Sequence, residues 1–416
     1  MIEDTLLVQL AKDYGTPLYV YDGDEVVARY NSFLKAFKSR YKKTKVMYAV
    51  KANSSLALLR LLAKQGCGAD VVSGGELFIA RKAGIKSEDI IFTSSSKTVQ
   101  ELELALEEDV IVTHGNVSEL LTFSSIAEER GKTARICFRV NPDVSSKTHP
   151  KIATGLKNSK FGLHLEGDIA LKAYEKALEL NGVKPIGVHA HIGSQIHESQ
   201  AFEEAVSKLM DFAVMLKKEL GVELDFIDLG GGLGISHQGE KTLTPKEFAE
   251  AILPNFLNGL EDLSNEPYLY LEPGRYIVGP AGVLLTKVNS VKKTPYKNFV
   301  NVDAGFNTLA RPTLYDAYHH MTVLGKSGNE ELVDVAGNVC ESGDILGRDR
   351  SLPKTSVGDI ISIKDCGAYG FAMASEYNSQ PLPCEVLVRG GIGELIRTRR
   401  SYSDLIAEQR IPEDLK

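Results

Sequence analysis

Tryptophan is absent from this 416-residue chain, and cysteine is scarce: five residues, an odd number, with no CxxC pair. Cys67, Cys137, Cys340, Cys366 and Cys384 are too scattered for a zinc ribbon and argue against a disulfide framework. No excess of positive charge is present either. The 48 lysines and arginines against 55 acidic residues give a formal net charge of −7, which argues against nucleic acid or an anionic membrane as the main partner. Any anion bound must be held by local donors. No apolar run approaches the roughly 20 residues that span a membrane. The start, Met1-Ile2-Glu3-Asp4, is acidic where a secretory signal would be basic. A soluble protein of a reducing cytoplasm is the expectation, and the length predicts two domains.

What is present is a rhythm. From about residue 45 to 275, short apolar runs end in polar or glycine-bearing turns and are followed by stretches of helical spacing. The runs are Lys45–Ala52, Gly68–Ser73, Ile90–Ser94, Val110–Gly115, Arg135–Pro142, Ile186–Gly193, Phe226–Gly232 and Tyr268–Gly274. Nearly continuous apolar strands are those covered on both faces. Their number and spacing predict a (β/α)8 TIM-like barrel, with a doubly wound sheet as the rival. After Pro280 short strands separated by Gly, Pro and Asn predict a mainly β domain. The division expected is 26–280 for the barrel, and 1–25 with 281–416 for the β domain. The long polar loop from Asp143 to Lys160 is a candidate active-site or interface element.

Catalytic groups of such barrels lie at the C-terminal ends of the strands. Those ends carry Lys51, Asp70, His114, Arg139, His189 with His191, Asp228, and Glu272 with Arg275. Lys51, ending a buried run, reads as a partly desolvated amine able to condense with an aldehyde, or as a lysine whose head reaches the rim. Gly193-Ser194, Gly230-Gly231-Gly232 and Gly274-Arg275 could offer backbone amides to a phosphate; a glycine triplet can equally be only a turn. Glu272 could hold a pyridine nitrogen protonated or pair with Arg275. His191 could stack on a ring or be a satisfied core histidine. No metal is expected, His189 and His191 being placed on opposite sides of their strand.

Tyr48-Ala-Val-Lys51-Ala-Asn53, His191-Ile-Gly-Ser194, Gly230-Gly-Gly232, Glu272-Pro-Gly-Arg275, Cys340-Glu-Ser-Gly-Asp344 and Gly367-Ala-Tyr369 occur in this order. Together they resemble the fold-type III pyridoxal-phosphate-dependent decarboxylases, whose fold is alanine-racemase-like and whose members act on ornithine, diaminopimelate and arginine. The resemblance runs nearly end to end. It implies pyridoxal 5'-phosphate bound through Lys51, His191 on the ring face, and Glu272 at the pyridine nitrogen. Ser194, Gly230, Gly231, Gly232, Gly274, Arg275 and Tyr369 would surround the phosphate or its approaches, with Asp70 and Glu76 lining the pocket.

The same resemblance implies a homodimer with shared sites, in which Cys340, as proton donor, and Glu341 come from the partner chain. Arg311-Pro-Thr-Leu-Tyr315 implies meso-diaminopimelate as substrate and lysine as product, with Arg275, Arg311 and Tyr315 gripping the retained carboxylate and Glu341 the distal amine. A second carboxylate is met best by guanidinium donors. His149–Gly155 and Ser159–Gly162 match the same group's central loop. Thr313 stands where a smaller residue is the pattern. Without the resemblance Cys340 reads as a buried structural thiol. The rival readings are a decarboxylase for another amino acid, a racemase, and a silent homologue that binds a partner protein.

Overall fold

The computed structural model describes residues 2–145, 155 and 159–416. It divides into two compact units, Val27–Ile277 and Met1–Val26 with Val278–Lys416. The first elements are helix α1 (Asp4–Tyr14) and strand β1 (Leu18–Asp22), followed by α2 (Gly23–Lys38).

The larger unit holds β2 (Thr44–Ala49), β3 (Gly68–Val71), β4 (Ile90–Thr93), β5 (Ile111–His114), β6 (Ala134–Asn141), β7 (Leu163–His164), β8 (Val183–Ala190), β9 (Phe226–Asp228) and β10 (Tyr268–Leu271). All pairings among them are parallel. The order β5-β4-β3-β2-β10-β9-β8-β6 closes through β5–β6 into an eight-stranded barrel, and the two-residue β7 pairs outside the ring with β6. The predicted (β/α)8 barrel is therefore the observed one.

The intervening helices are α3 (Leu56–Ala63), α4 (Gly74–Lys82), α5 (Val99–Glu107), α6 (Val117–Glu129), α7 (Ile169–Leu178), α8 (Gln200–Leu220) and α9 (Pro245–Leu260), and the one-turn α10 (Arg275–Val278) follows β10. Their starts follow capping chemistry. Thr98 with Glu101 and Thr244 with Glu247 form capping boxes, Pro245 opens α9, and the side chains of Ser73 and Asn116 accept from the amides of Glu76 and Glu119.

Side chains two residues apart on a strand share a face, and this periodicity layers the barrel interior. Met47, Ile91, Ile111, Cys137, Phe226 and Tyr270 pack as an apolar plug. Phe226 and Tyr270 stack at 4.6 Å between ring centroids. Glycine makes room for it: a Cβ at Gly187 would lie 2.2 Å from the Phe226 ring. Two residues further along the same strands stand Thr93, Thr113, Arg139, Asp228 and Glu272, joined by Asp70 after Gly68 and His189 after Gly187. An apolar floor thus carries a polar ring at the C-terminal end.

In the smaller unit the sheet runs β15-β14-β12-β11-β1-β17-β18. Its later strands are β11 (Gly282–Lys293), β12 (Asn298–Val302), β13 (Met321–Val323), β14 (Glu330–Ala336), β15 (Ile345–Pro353), β16 (Ile360–Ile363), β17 (Cys384–Arg389) and β18 (Ile392–Arg397). β16 pairs with β11 and β13. The run after Pro17 is a strand of this sheet, β1, between β11 and β17. α1, β13, β15 and β18 had no counterpart in the sequence reading, and the final residues hold only short 3-10 turns. Leu7, Leu10 and Ala11 of α1 pack on Leu18, Val20, Leu285 and Val386. Among the described residues no helix is long and apolar enough to cross a membrane.

Candidate active site

Lys51 follows β2 in a 3-10 turn, Val50–Ala52. Its ammonium donates to Asp70 Oδ2 at 2.8 Å, and its side chain is 34% exposed while that of Asp70 is fully buried. Lys51 is thus partly open, and a carboxylate that the sequence did not pair with it stands beside its amine as a countercharge. Burial pushes the Asp70 carboxyl up, the charge of Glu272 adds to this, and Lys51 pulls it back.

Glu76 sits nearby. Its carboxylate accepts the Val72 amide at 2.8 Å. Burial raises its pKa to about 7 despite that amide.

Glu272 is 3% exposed, and His189 Nε2 lies 3.4 Å from its carboxylate. Burial alone would raise this carboxyl, but His189, Lys51 and His191 outweigh it and hold it at about 2. The partner left open in the sequence, Arg275, donates instead to Ser194 Oγ at 3.3 Å.

His191 accepts the Gly231 amide at Nδ1 across 3.2 Å, which leaves its hydrogen on Nε2. Burial, then Lys51 and Arg139, hold its pKa well below the ordinary histidine value. The imidazole is neutral.

Three expectations change at this rim. Residues two apart on a strand share a face, so His189 and His191 do not lie on opposite sides. Both feel Lys51 or Glu272, but His189 is turned on Glu272 and His191 on Gly231. Next, two of the three glycine amides are not available to a phosphate. Gly230 donates to Asp228 Oδ1 at 2.8 Å and Gly231 to His191. These glycines answer to packing: a Cβ at Gly230 would lie 2.5 Å from the Ala190 carbonyl oxygen, and one at Gly231 2.1 Å from that of Glu272. Gly274 is confined likewise, with the Ala52 Cβ at 2.9 Å.

The third change is His114, which points outward from the barrel axis. It packs on Phe123 at 5.5 Å, and its Nδ1 lies 2.9 Å from Glu119 Oε2. Lys97, buried, donates to the same oxygen at 2.9 Å and to the Thr113 carbonyl at 2.7 Å. This cluster ties the loop before α5 to β5 and α6.

Arg139, to which the sequence reading gave no role, faces the interior. Its guanidinium lies 4.4 Å from the Phe161 ring centroid and donates to the His191 carbonyl at 3.4 Å. Burial lowers its pKa to about 10, with Glu272 and Asp70 opposing. The central-loop positions 146–154 and 156–158 lie outside the described residues.

The smaller unit gathers the remaining candidates. Arg311 opens α11 (Arg311–Tyr315) and is 6% exposed. Its guanidinium lies 5.7 Å from the Tyr315 ring centroid and 6.0 Å from that of Tyr369. Tyr369 has φ +56°, a conformation that costs a bulky residue of order 1 kcal/mol and persists where its surroundings impose it.

Cys340 is exposed while the other four cysteines are buried, which removes the reading of a buried structural thiol. It sits with exposed Glu341 on a loop fastened by Asp344. That carboxylate accepts the amides of Phe306 at 2.6 Å and Val339 at 2.7 Å. Thr313, the departure from the family pattern, donates to the Gly343 carbonyl at 3.1 Å and ties α11 to the same loop.

The larger unit's residues fit pyridoxal phosphate. A buried, ionised carboxylate, whose Oε1 has no hydrogen-bond partner among the described residues, suits a pyridine N–H. A neutral imidazole suits a ring face, an amine at the rim suits an aldehyde, and Arg275 with Ser194 suits a phosphate. Fold and site thus define a pyridoxal-phosphate-dependent decarboxylase barrel, and residues 24–279 match the family described as "Pyridoxal-dependent decarboxylase, pyridoxal binding domain".

The chain is 50% identical to a diaminopimelate decarboxylase of Archaeoglobus fulgidus, over 99% of this chain and 97% of that protein. A crystal structure of the Methanocaldococcus jannaschii diaminopimelate decarboxylase, in co-complex with L-lysine, superposes with a TM-score of 0.94 at 45% identity, over 99% and 95% of the two chains. A structure described as SrLDC in complex with PLP and cadaverine gives 0.80 at 25% identity, over 93% and 94%. The chain belongs to the diaminopimelate decarboxylase family, and it is a carboxy-lyase dependent on pyridoxal 5'-phosphate.

Proposed function

We propose that this chain converts meso-2,6-diaminopimelate to L-lysine and carbon dioxide, the last step of lysine formation by the diaminopimelate route. The observation that carries the reading is the rim itself: Lys51 on Asp70, and an ionised Glu272 facing the barrel mouth with His191 neutral beside it. The L-lysine bound in the M. jannaschii relative supports the product.

Bound pyridoxal phosphate supplies the electron sink that takes the pair from the breaking Cα–carboxylate bond. The chain supplies the rest. Lys51 would hold the cofactor through its amine, which Asp70 orients. His191 supports the ring face. Glu272 retains the proton on the pyridine nitrogen. Ser194, Gly232, Gly274, Arg275 and Tyr369 hold the phosphate or its approaches, while Gly230 and Gly231 shape that loop through Asp228 and His191. Arg275, Arg311 and Tyr315 hold the carboxylate that stays, and Glu341 the distal amine. Cys340 returns a proton to Cα.

The same proposal makes the protein a homodimer in which Cys340 and Glu341 of one copy serve the barrel of the other. It places the enzyme in the cytoplasm, in keeping with five free cysteines. The test is carbon dioxide release from meso-diaminopimelate by the holoenzyme, with Lys51→Ala as control and ornithine, arginine and lysine as alternatives. Release from diaminopimelate alone, lost in the control, is expected. Preferential release from another amino acid would overturn the roles given to Arg311 and Glu341.

A further inference from the structure

Glu272 does not stand alone. His189 and Asp228 are paired in register on β8 and β9, and β10, which Glu272 follows, is the next strand. One side-chain atom from each of His189, Asp228 and Glu272 falls within 4.8 Å of the others, and all three residues are buried. Asp228 is fully buried. Its Oδ1 accepts the Gly230 amide, while its Oδ2 is buried without a hydrogen-bond partner among the described residues.

Two carboxyls so close in a dry barrel do not both ionise; one keeps the proton. Charges facing them settle which. His189 on β8 and Lys51 after β2 favour the anion at Glu272, and His191 beside them is neutral. Burial, and then the charge of Glu272, push the Asp228 carboxyl well above the carboxylate range. Asp70 on β3 and Arg139 on β6 face the same space, the first adding to the push on Asp228 and the second feeling Glu272. His189 presents Nε2 to an ionised carboxylate, so that nitrogen carries the hydrogen.

We infer that Asp228 and His189 are positioning residues for Glu272: the Asp228 acid and the His189 Nε2–H flank its carboxylate, fix its orientation and keep it anionic, leaving one edge for the pyridine N–H. The inference rests on the reading that Glu272 faces the pyridine nitrogen. It gives a role at the pyridine edge to His189, which the functional assignment leaves unused, and to Asp228, which that assignment uses only to anchor Gly230. Without the pair, Glu272 is freer to rotate, and as pH rises the pyridine nitrogen loses its proton.

The experiment uses holoenzyme carrying pyridoxal phosphate labelled with ¹⁵N in the ring, and follows the nitrogen resonance from pH 6 to 9. In the parent the resonance is that of a protonated pyridine throughout. Glu272→Gln moves it toward neutral pyridine; a resonance that does not move overturns the reading of Glu272 itself. Asp228→Ala and His189→Ala are expected to make the resonance titrate within that range and to lower kcat about tenfold, with KM little changed. Asp228→Asn, which offers an acceptor to Gly230 and a donor to Glu272, restores both the resonance and kcat relative to the alanine variant. Should Asp228→Ala fail to fold, Asp228→Ser takes its place in the comparison.

If Glu272→Gln shifts the resonance while the His189 and Asp228 variants leave its pH profile unchanged, the positioning role is overturned. If Asp228→Asn behaves as the alanine variant does, Asp228 acts as an anion and the proton assigned to it is wrong.

Discussion

The Lys51 ammonium and Asp70 Oδ2 meet at 2.8 Å across the tops of neighbouring strands. An opposite charge at this distance favours the charged form of an amine, and cofactor capture needs the uncharged one. Asp70→Asn is therefore expected to shift the pH profile of pyridoxal phosphate uptake by the apoenzyme to lower pH, by about one unit. Stopped-flow absorbance of cofactor binding measures it. A profile that stays in place would show that the pair does not control the amine.

Glu76 is held at about 7 by burial, with the Val72 amide opposing. A carboxyl raised in the folded state keeps its proton there when the unfolded chain has lost it. Folding is then penalised increasingly as pH rises from the ordinary carboxylate range through about 7. Glu76→Gln, which keeps an acceptor for Val72, should match the parent near pH 4.5 and be more stable above pH 7, by up to about 3 kcal/mol. Denaturant unfolding of apoprotein at both pH values checks this.

The Lys97–Glu119–His114 cluster carries the opposite sign. Burial would raise Glu119, but the hydrogen bond from His114 and the charge of Lys97 hold it at about 2. Its stabilisation is complete above the ordinary carboxylate pKa and is lost as pH falls toward about 2. Glu119→Gln leaves buried Lys97 without a countercharge and should cost about 3 kcal/mol at pH 7. The gap between parent and variant in unfolding free energy should narrow below pH 4.5. A gap independent of pH would argue for packing as its source.

Asp344 fastens the Cys340 loop through two backbone amides. Asp344→Ala leaves both donors unpaired and should lower stability by about 2 kcal/mol. It should also reduce kcat more than kcat/KM for cofactor-saturated enzyme if the loop delivers the proton donor. Cys340→Ala tests that donor directly, with an expected loss of about 100-fold in kcat. Full turnover and clean lysine from Cys340→Ala would remove Cys340 from the mechanism.

Much of the barrel was legible because its signals are local. Apolar runs covered on both faces, and the helical spacing between them, need no knowledge of the rest of the chain. β13, β15 and β18 were not, since short or half-exposed strands with residues such as Gly347, Asp349 and Arg350 carry no period of their own. Within the site, Lys51, Asp70, His189 and Glu272 stood out as strand-end polar groups, but which of them pair did not. That Glu272 faces His189 follows from a register between non-adjacent segments.

His114 was misplaced for lack of a step that was available. Thr113 faces the interior, bonded to Thr93 and Cys137, so the next residue must face the helices. Counting in twos from Cys137 and Phe226 would also have marked Arg139 and Asp228 as interior. The destinations of the Gly230 and Gly231 amides had no signal in the sequence.

Those amides bear on how the site receives its ligand. Gly230 and Gly231 are anchored by Asp228 and His191, groups of the same chain, so the loop has its shape before anything is bound. A preformed loop incurs little loss of conformational freedom on association. Affinity differences among relatives that share these anchors should then appear in how slowly the cofactor leaves rather than in how fast it arrives.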